Sequence, residues 1–188
     1  MEKLVIIING KGGSGKDTLC DFAGRRFKVK NVSAITPIKD VAGRFGWNGE
    51  KDGKSRKFLA DLKQACVEYN DLPFRYLAGE YGQFLEGSDD LMFVHIREGE
   101  EIDKFKRIVK LPCVTLFVSR KERDGLCLGN ASDDGVKNYQ YDYEYRNDKG
   151  LSEAEEDFLM FLEDMLKKEE EAEKGRRGER KLEGERDR

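Results

Sequence analysis

The feature that most constrains the fold is an apolar run, LVIII at positions 4 to 8, followed closely by GKGGSGKDT at positions 10 to 18. Gly10, Gly15 and Lys16 match the pattern G-x-x-x-x-G-K, and a helical start, DTL, comes directly after them. Glycines at this spacing let backbone N–H groups converge on a phosphate, and a helix N-terminus adds about half a positive charge. The sequence therefore predicts a phosphate-binding loop between a first strand and a first helix.

Strand-like segments alternate with helical segments along the chain. After residues 4–8, we predict strands over residues 32–35, 91–96 and 113–118, and a weaker one near residues 139–145. The first, third and fourth of these runs are apolar at nearly every position, as in strands buried on both faces of a parallel sheet. This alternation predicts an α/β fold.

Two helical segments follow the second predicted strand. The first begins near Ser55 and carries two basic residues, Arg56 and Lys63, on one side. Four apolar residues share the opposite face: Phe58, Leu62, Ala65 and Tyr69. The second helix is expected over residues 72–85. The basic face of the first is expected to meet solvent or an anion.

The length of 188 residues favours one domain with a tail over two domains. We predict a domain over residues 1–166, closed by a helix whose capping box consists of Ser152 and Glu155. Residues 167–188 contain 17 charged and only two apolar residues, so they cannot bury enough surface to offset the entropy of ordering. This charged tail is predicted to be disordered or to extend the last helix.

Charge and hydropathy narrow the function classes. The net charge is −3, and the tail mixes basic with acidic residues, so neither resembles the single-sign arm of a nucleic-acid-binding protein. No apolar run approaches the roughly 18 residues that span a bilayer, and the N-terminus lacks the long apolar region of a signal peptide. The four cysteines form no CxxC pair, and the chain has only one histidine, so the sequence does not favour a zinc site. We expect a cytoplasmic protein whose partners include neither nucleic acid nor membrane.

Position 17 departs from the usual loop pattern. A Ser or Thr hydroxyl normally ligates Mg²⁺ directly after the loop lysine. Asp17 is also a hard oxygen ligand and is predicted to hold Mg²⁺ directly or through water, with the hydroxyl of Thr18 beside it. The alternative is that Asp17 serves only as an acidic residue at a helix N-terminus.

Four segments resemble one family. GKGGSGKDTLCDF resembles the P-loop of the phage-type deoxynucleoside monophosphate kinases, and an aspartate after the lysine also occurs in the animal-type phosphomevalonate kinases. Both belong to the nucleoside-monophosphate-kinase-like P-loop group, which includes the dephospho-CoA kinases. FVHIREGEEI is similar to their third strand and following turn, PIKDVAGRFGWNGEKDGKSRKFL to their acceptor-binding region, and DDGVKNYQYDYEYRND to their last strand region. The resemblance implies nucleotide binding by Gly10, Lys11, Gly12, Gly13, Ser14, Gly15, Lys16, Asp17, Thr18 and Asn147.

The third strand departs from that family. Its members commonly carry an aspartate where this chain has His95, so the usual carboxylate at the end of the strand is missing. Asp17 is a candidate to replace it in part. His95 is interpreted either as an acceptor contact or as a buried structural histidine.

Basic residues follow several predicted strands, at the edge where parallel α/β sheets bind ligands. Arg120, Lys121 and Arg123 come after the fourth strand, and by resemblance they belong to a lid over ATP at residues 119–135. By the same resemblance an acceptor-binding insertion covers residues 36–88. The residues expected to hold the acceptor are Lys39, Arg56, Lys63, His95 and Arg97. A surface role in solvent is the alternative for each cation.

These expectations combine into one prediction: a three-layer α/β/α P-loop NTPase fold with a five-stranded, mainly parallel sheet. The predicted activity is transfer of the ATP γ-phosphoryl group, with Mg²⁺, to a small phosphorylated acceptor such as a (deoxy)nucleoside monophosphate. The expected catalytic residues are Lys16, Arg97, Arg120 and Arg123. The protein is expected to be a monomer or a homodimer.

Two other classes remain open. KGGSGK also fits the deviant P-loop of ParA- and MinD-like dimerising ATPases, whose signature lysine would be Lys11. Against this interpretation, the sequence contains no second Asp-rich switch motif, and Asp17 interrupts the usual Thr pair. The other class is a nucleotide-binding protein without catalysis, because Asp17 and His95 both depart from the common metal chemistry.

Overall fold

A computed structural model describes residues 3–50, 52–121 and 135–186, and these residues include a five-stranded sheet. The strands are β1 (Leu4–Asn9), β2 (Val29–Ser33), β3 (Leu91–His95), β4 (Cys113–Ser119) and β5 (Tyr143–Arg146). Their order across the sheet is β2-β3-β1-β4-β5, and every neighbouring pair is parallel. The predicted α/β class and the parallel sheet are confirmed.

Helices cover both faces of this sheet. They are α1 (Lys16–Gly24), α2 (Thr36–Arg44), α3 (Gly53–Asn70), α4 (Leu72–Glu86), α5 (Gly99–Lys106) and α6 (Leu151–Arg186). A short 3-10 helix spans Gly135–Asn138 before β5. No helix within the described ranges combines the length and the apolar character needed to cross a bilayer.

The strand β1 divides the core in two, because successive side chains of a strand point to opposite faces. Ile6 and Ile8 pack in one cluster with residues of α1 and α6, such as Leu19 and Phe158. The alternate residues of β1 pack in a second cluster with residues of α4 and α5; this cluster includes Val5, Ile7, Phe84 and Phe105. The result is the three-layer arrangement, with β1 buried on both sides.

The second strand lies earlier than predicted. It spans Val29–Ser33 and pairs with β3 from Val29 opposite Leu91 to Ser33 opposite His95. The prediction over residues 32–35 begins three residues too late, because β2 is an edge strand whose first residues include polar ones and so lack a continuous apolar pattern. Lys30, for example, lies within β2 and forms an ion pair with Glu80 of α4, 2.7 Å between Nζ and Oε2.

The start of α6 also differs from the prediction. The helix begins at Leu151, and the carbonyl oxygen of Gly150 accepts from the N–H groups of Glu153 and Ala154 at 3.0 and 2.8 Å. Ser152 therefore lies inside the first turn and is not the N-cap. The helix continues through the charged tail to Arg186.

The packing of α3 does not follow its apolar spacing. None of residues 53–70, all of which the structure describes, is fully buried, and Phe58 and Tyr69 are 37% and 87% exposed. Lys63 instead faces the protein, where it meets acidic residues at the start of α5. The apolar residues of α3 therefore share a face that is not fully buried, while Lys63 on the other side contacts acidic residues rather than solvent.

Candidate active site

The carboxyl ends of the parallel strands meet at one edge of the sheet, and this edge carries most of the residues predicted from sequence. Ile8 of β1 lies opposite His95 of β3, and Ser119 of β4 lies opposite Arg146 of β5. The loop of residues 10–15, Arg97, Arg120 and Asn147 all follow directly from these ends. The topology therefore brings together segments that are far apart in the chain.

The loop after β1 has a backbone that only glycine accommodates easily. Gly10, Gly13 and Gly15 have φ of 145°, 82° and 91°, and Gly15 is the left-handed N-cap of α1. A Cβ at Gly10 would overlap the carbonyl oxygen of Val118, and a Cβ at Gly15 would overlap Nδ2 of Asn147. The glycines of the motif are therefore explained by left-handed backbone and by close packing.

Lys16 lies over this loop. Its Nζ is 2.6 Å from the carbonyl oxygen of Gly10, 3.0 Å from that of Lys11 and 3.3 Å from Oγ of Ser14. The first N–H groups of a helix have no partners within the helix, so the start of α1 contributes donors at the same place. An ammonium, a helix N-terminus and a glycine-rich loop form a donor set that suits a polyphosphate.

Asn147 holds the loop through a side-chain hydrogen bond. This side chain is buried, and its Nδ2 donates to the carbonyl oxygen of Ser14 at 2.9 Å. Its own backbone N–H donates to the carbonyl oxygen of Ser119 at 2.9 Å. The residue connects the ends of β4 and β5 to the loop, so its geometry is that of a support for the loop.

Asn9 has a comparable role that the sequence did not reveal. This buried residue ends β1, and its Oδ1 accepts from the N–H of Gly10 at 2.8 Å. Its Nδ2 donates to the carbonyl oxygen of Arg97 at 2.9 Å and to the hydroxyl of Tyr141 at 2.8 Å. The only signal in the sequence was a polar residue between an apolar strand and the first glycine.

His95 and Asp17 lie next to each other beside the loop. Nδ1 of His95 is 3.8 Å from Oδ1 of Asp17, and Nε2 is 2.9 Å from Oδ1 of Asn31 and 3.7 Å from Sγ of Cys20. Among the residues that the structure describes, no group of three or more His, Cys, Asp or Glu side chains is arranged to hold a metal ion. Asp17 and Thr18 nevertheless offer the oxygen donors that Mg²⁺ prefers.

Three of the predicted cations affect the pKa of His95. Burial lowers the pKa of His95 to about 4, the charge of Asp17 opposes this, and the positive charges of Lys16, Arg97 and Lys39 lower it further. His95 is therefore a neutral imidazole at pH 7. Lys16, Arg97 and Lys39 therefore each contribute positive charge at His95.

The remaining predicted cations are placed differently. Nζ of Lys63 forms ion pairs with Oε2 of Glu98 at 2.9 Å and Oε1 of Glu101 at 3.0 Å, which connects α3 to α5. Arg56 is exposed in the first turn of α3, and Arg120 is half-buried after β4. Arg123 and residues 122–134 of the predicted lid lie outside the described residues.

Comparisons with known proteins identify the fold but no family. No protein-family model matches the chain, and no curated protein matches it. A proposed kinase from Chloroflexus aurantiacus is 12% identical, with a TM-score of 0.51 over 89% of this chain and 97% of that chain.

Two further structural neighbours superpose less closely. Shikimate kinase from Aquifex aeolicus is 14% identical, with a TM-score of 0.45 over 87% of this chain and 98% of that chain. The APS kinase CysC of Mycobacterium tuberculosis, in complex with AMPPNP and APS, is 13% identical, with a TM-score of 0.47 over 86% and 98%. The likeness to the first of these three structures, together with the sheet order and the glycine-rich loop, shows that this chain has the α/β fold of a P-loop kinase.

Proposed function

We propose that this protein is an ATP-dependent phosphotransferase that transfers the γ-phosphoryl group of ATP to a small anionic acceptor. The observation that carries the proposal is the position of Lys16, whose ammonium lies over a left-handed glycine loop at the N-terminus of α1. The convergence of Lys39 and Arg97 on the adjacent His95 supports a second anionic ligand at the same edge. A binding site for one phosphate alone would not need these additional cations.

The residues of the chain account for the proposed reaction through position and charge. Phosphoryl transfer needs cations around the moving group and little covalent help from the protein. In the proposal, Lys16 and the loop N–H groups hold the β- and γ-phosphates, and Arg97, Arg120 and Arg123 neutralise the charge that develops during transfer. Mg²⁺, when bound through Asp17 and Thr18, would neutralise further charge on the same phosphates.

The acceptor class rests on the resemblance of the sequence to nucleoside-monophosphate-kinase-like enzymes. A (deoxy)nucleoside monophosphate is the first candidate, and Lys39, Arg56, Lys63, His95 and Arg97 are the residues proposed to hold it. In the structure Lys63 is paired with Glu98 and Glu101, so an acceptor phosphate would have to compete with two carboxylates for it. We therefore expect Lys39 and Arg97 to contribute more to acceptor binding than Lys63.

A panel of acceptors tests this assignment. Purified protein is incubated with labelled ATP and Mg²⁺ and with nucleoside monophosphates, dephospho-CoA, phosphomevalonate, shikimate and APS, the last two because they are ligands or substrates of the neighbouring kinases. Transfer to a nucleoside monophosphate is the expected result. ATP binding without transfer to any acceptor, with Mg²⁺ or Mn²⁺, would instead indicate a nucleotide-binding protein without catalysis.

Lys16→Ala is expected to lower acceptor phosphorylation at least about a hundredfold, which corresponds to about 2.7 kcal/mol of transition-state stabilisation. The reason is that its ammonium is the charge held nearest to the loop. The measurement is kcat/KM for transfer to the best acceptor of the panel. Near-full activity in this variant would contradict the proposed function.

Lys11→Ala is the matched control, because Lys11 lies in the same loop but is the signature lysine only in the dimerising ATPases. The variant is expected to retain acceptor phosphorylation within a few-fold. Loss of ATP hydrolysis in Lys11→Ala, together with hydrolysis that rises with protein concentration, would favour a dimerising ATPase.

A further inference from the structure

Asp17 and His95 bring an oxygen and a nitrogen ligand atom close together beside the loop. Asp17 lies in the first turn of α1, directly after Lys16, and its carboxylate is 93% exposed. His95 ends β3, and its side chain is 13% exposed. Oδ1 of Asp17 and Nδ1 of His95 are 3.8 Å apart.

The hydrogen bond between Nε2 of His95 and Asn31 determines which ring nitrogen carries the proton. Nε2 lies 2.9 Å from the carboxamide oxygen of Asn31, which is an acceptor only, so the ring proton belongs on Nε2. Nδ1 then presents its lone pair towards the carboxylate of Asp17. Histidines that bind metals are oriented in the same way, with one nitrogen donating to an oxygen and the other ligating.

The separation of the two atoms suits a shared cation. Bonds from oxygen and nitrogen ligands to a divalent ion are about 2.0–2.2 Å, so neighbouring ligands of an octahedral ion lie about 3 Å apart, and a rotamer change of Asp17 would have to close the remaining distance. Asp17 is exposed and can adjust its rotamer, while Asn31 holds the ring of His95. Because Lys16, Arg97 and Lys39 contribute positive charge at His95, a free ion would be repelled, and the cation would have to arrive with a triphosphate.

We propose that Asp17 and Nδ1 of His95 together ligate the divalent cation of the bound nucleotide, and that the site therefore prefers Mn²⁺ to Mg²⁺. This inference rests on the proposed function, because it assumes that a nucleotide phosphate completes the coordination. An imidazole nitrogen suits first-row transition ions better than Mg²⁺, which prefers oxygen ligands. His95 is thereby assigned to the cation and not to the acceptor, so the remaining proposed acceptor contacts are Lys39, Arg56, Lys63 and Arg97.

The chain contains a single histidine, so its ligation can be detected without ambiguity. The protein is prepared without added purification histidines, once unlabelled and once with ¹⁵N-histidine, and is saturated with Mn²⁺ and AMPPNP. Pulsed electron paramagnetic resonance then detects nitrogens bound to Mn²⁺. A nitrogen coupling that changes on histidine labelling is expected, and it would assign His95 as a ligand.

Two other outcomes would overturn the inference, and they are distinguishable. If calorimetry shows that AMPPNP binds but the Mn²⁺ signal is insensitive to histidine labelling, the cation is held without His95 and the kinase proposal survives. If AMPPNP does not bind at millimolar concentration with either metal, the proposed function fails and the inference fails with it.

Variants of Asn31 test the orientation of the ring without touching a ligand. Asn31→Ala removes the acceptor of Nε2, and the affinity for Mn²⁺·AMPPNP is expected to fall about 10–100-fold, with a smaller change for Mg²⁺·AMPPNP. Asn31→Asp keeps an oxygen acceptor and is expected to retain the preference for Mn²⁺. Asn31 is exposed, so both variants should fold, which thermal unfolding verifies. Equal losses in both variants, or equal losses for both metals, would contradict the proposed role of Nδ1.

Discussion

Gly15 is the most demanding position of the loop, because two requirements coincide there. Its φ of 91° disfavours any residue with a Cβ, and a Cβ would also displace the buried amide of Asn147. Gly15→Ala is therefore expected to lose the hydrogen bond from Asn147 to Ser14 and to strain the backbone. We expect the free energy of unfolding to fall by about 2–4 kcal/mol, measured by urea denaturation.

Gly24→Ala provides the control within the same helix. Gly24 has no left-handed φ, and a Cβ there would meet no atom within 4 Å. Its substitution should leave the free energy of unfolding unchanged or raise it by up to about 1 kcal/mol. Similar losses in the two variants would show that the backbone of the loop is not what makes Gly15 necessary.

Single residues differed in how far the sequence revealed them. The glycines and Lys16 could be predicted because the spacing of the motif encodes a local backbone geometry. Asn9 and Asn31 could not, because their roles depend on partners such as Tyr141 and His95 that lie 132 and 64 positions away. The pairing of His95 with Asp17 likewise follows only from the register of β1 against β3.

Among the elements, the bounds of β2 and the packing of α3 differed from expectation for one shared physical cause. A segment whose apolar residues meet the core has a clear pattern, as in β1, β3 and β4. The edge strand β2 and the surface helix α3 lack fully buried faces of this kind, and charged residues such as Lys30 and Lys63 make their contacts. Periodicity alone does not say which neighbouring element such a segment meets.

The contact between α3 and α5 has a predictable pH dependence. Burial and a hydrogen bond that protonated Glu101 donates to Glu98 raise the pKa of Glu101 to about 7, against the opposing charge of Lys63. The folded state therefore binds this proton more tightly than the unfolded state, and stability is lost as pH rises through about 7. Glu101→Gln removes the ionisation, so at pH 8 it should be about 1–3 kcal/mol more stable than the parent protein, and at pH 5 nearly equal to it.

Urea denaturation at the two pH values measures this difference. Glu100→Gln is the matched control, because Glu100 is the exposed neighbour on the same helix and should give no pH-dependent change. If Glu101→Gln were less stable than the parent at pH 8, the ion pair with Lys63 would outweigh the burial of the carboxylate.

For the molecule as a whole, α6 separates residues that build the core from residues that do not. Phe158, Leu162 and Met165 are buried against the sheet, and Tyr143 donates to Glu169 one turn further on. Beyond Lys174, Leu182 is the only residue with an apolar side chain. The sequence could predict this division because apolar spacing stops abruptly at the start of the tail. It left open whether the tail is disordered or extends the last helix, and in the structure the helix continues to Arg186.

Two truncations measure how much of α6 the domain needs. A chain ending at Lys174 keeps the buried residues and the Tyr143 contact, so its free energy of unfolding should stay within about 0.5 kcal/mol of the full chain. A chain ending at Glu156 loses three buried apolar side chains, worth more than about 5 kcal/mol together, which reaches the lower end of the total stability of a domain. We expect this shorter chain to remain unfolded by circular dichroism. A loss of 2 kcal/mol or more in the first truncation would instead mean that the charged end of the helix stabilises the domain.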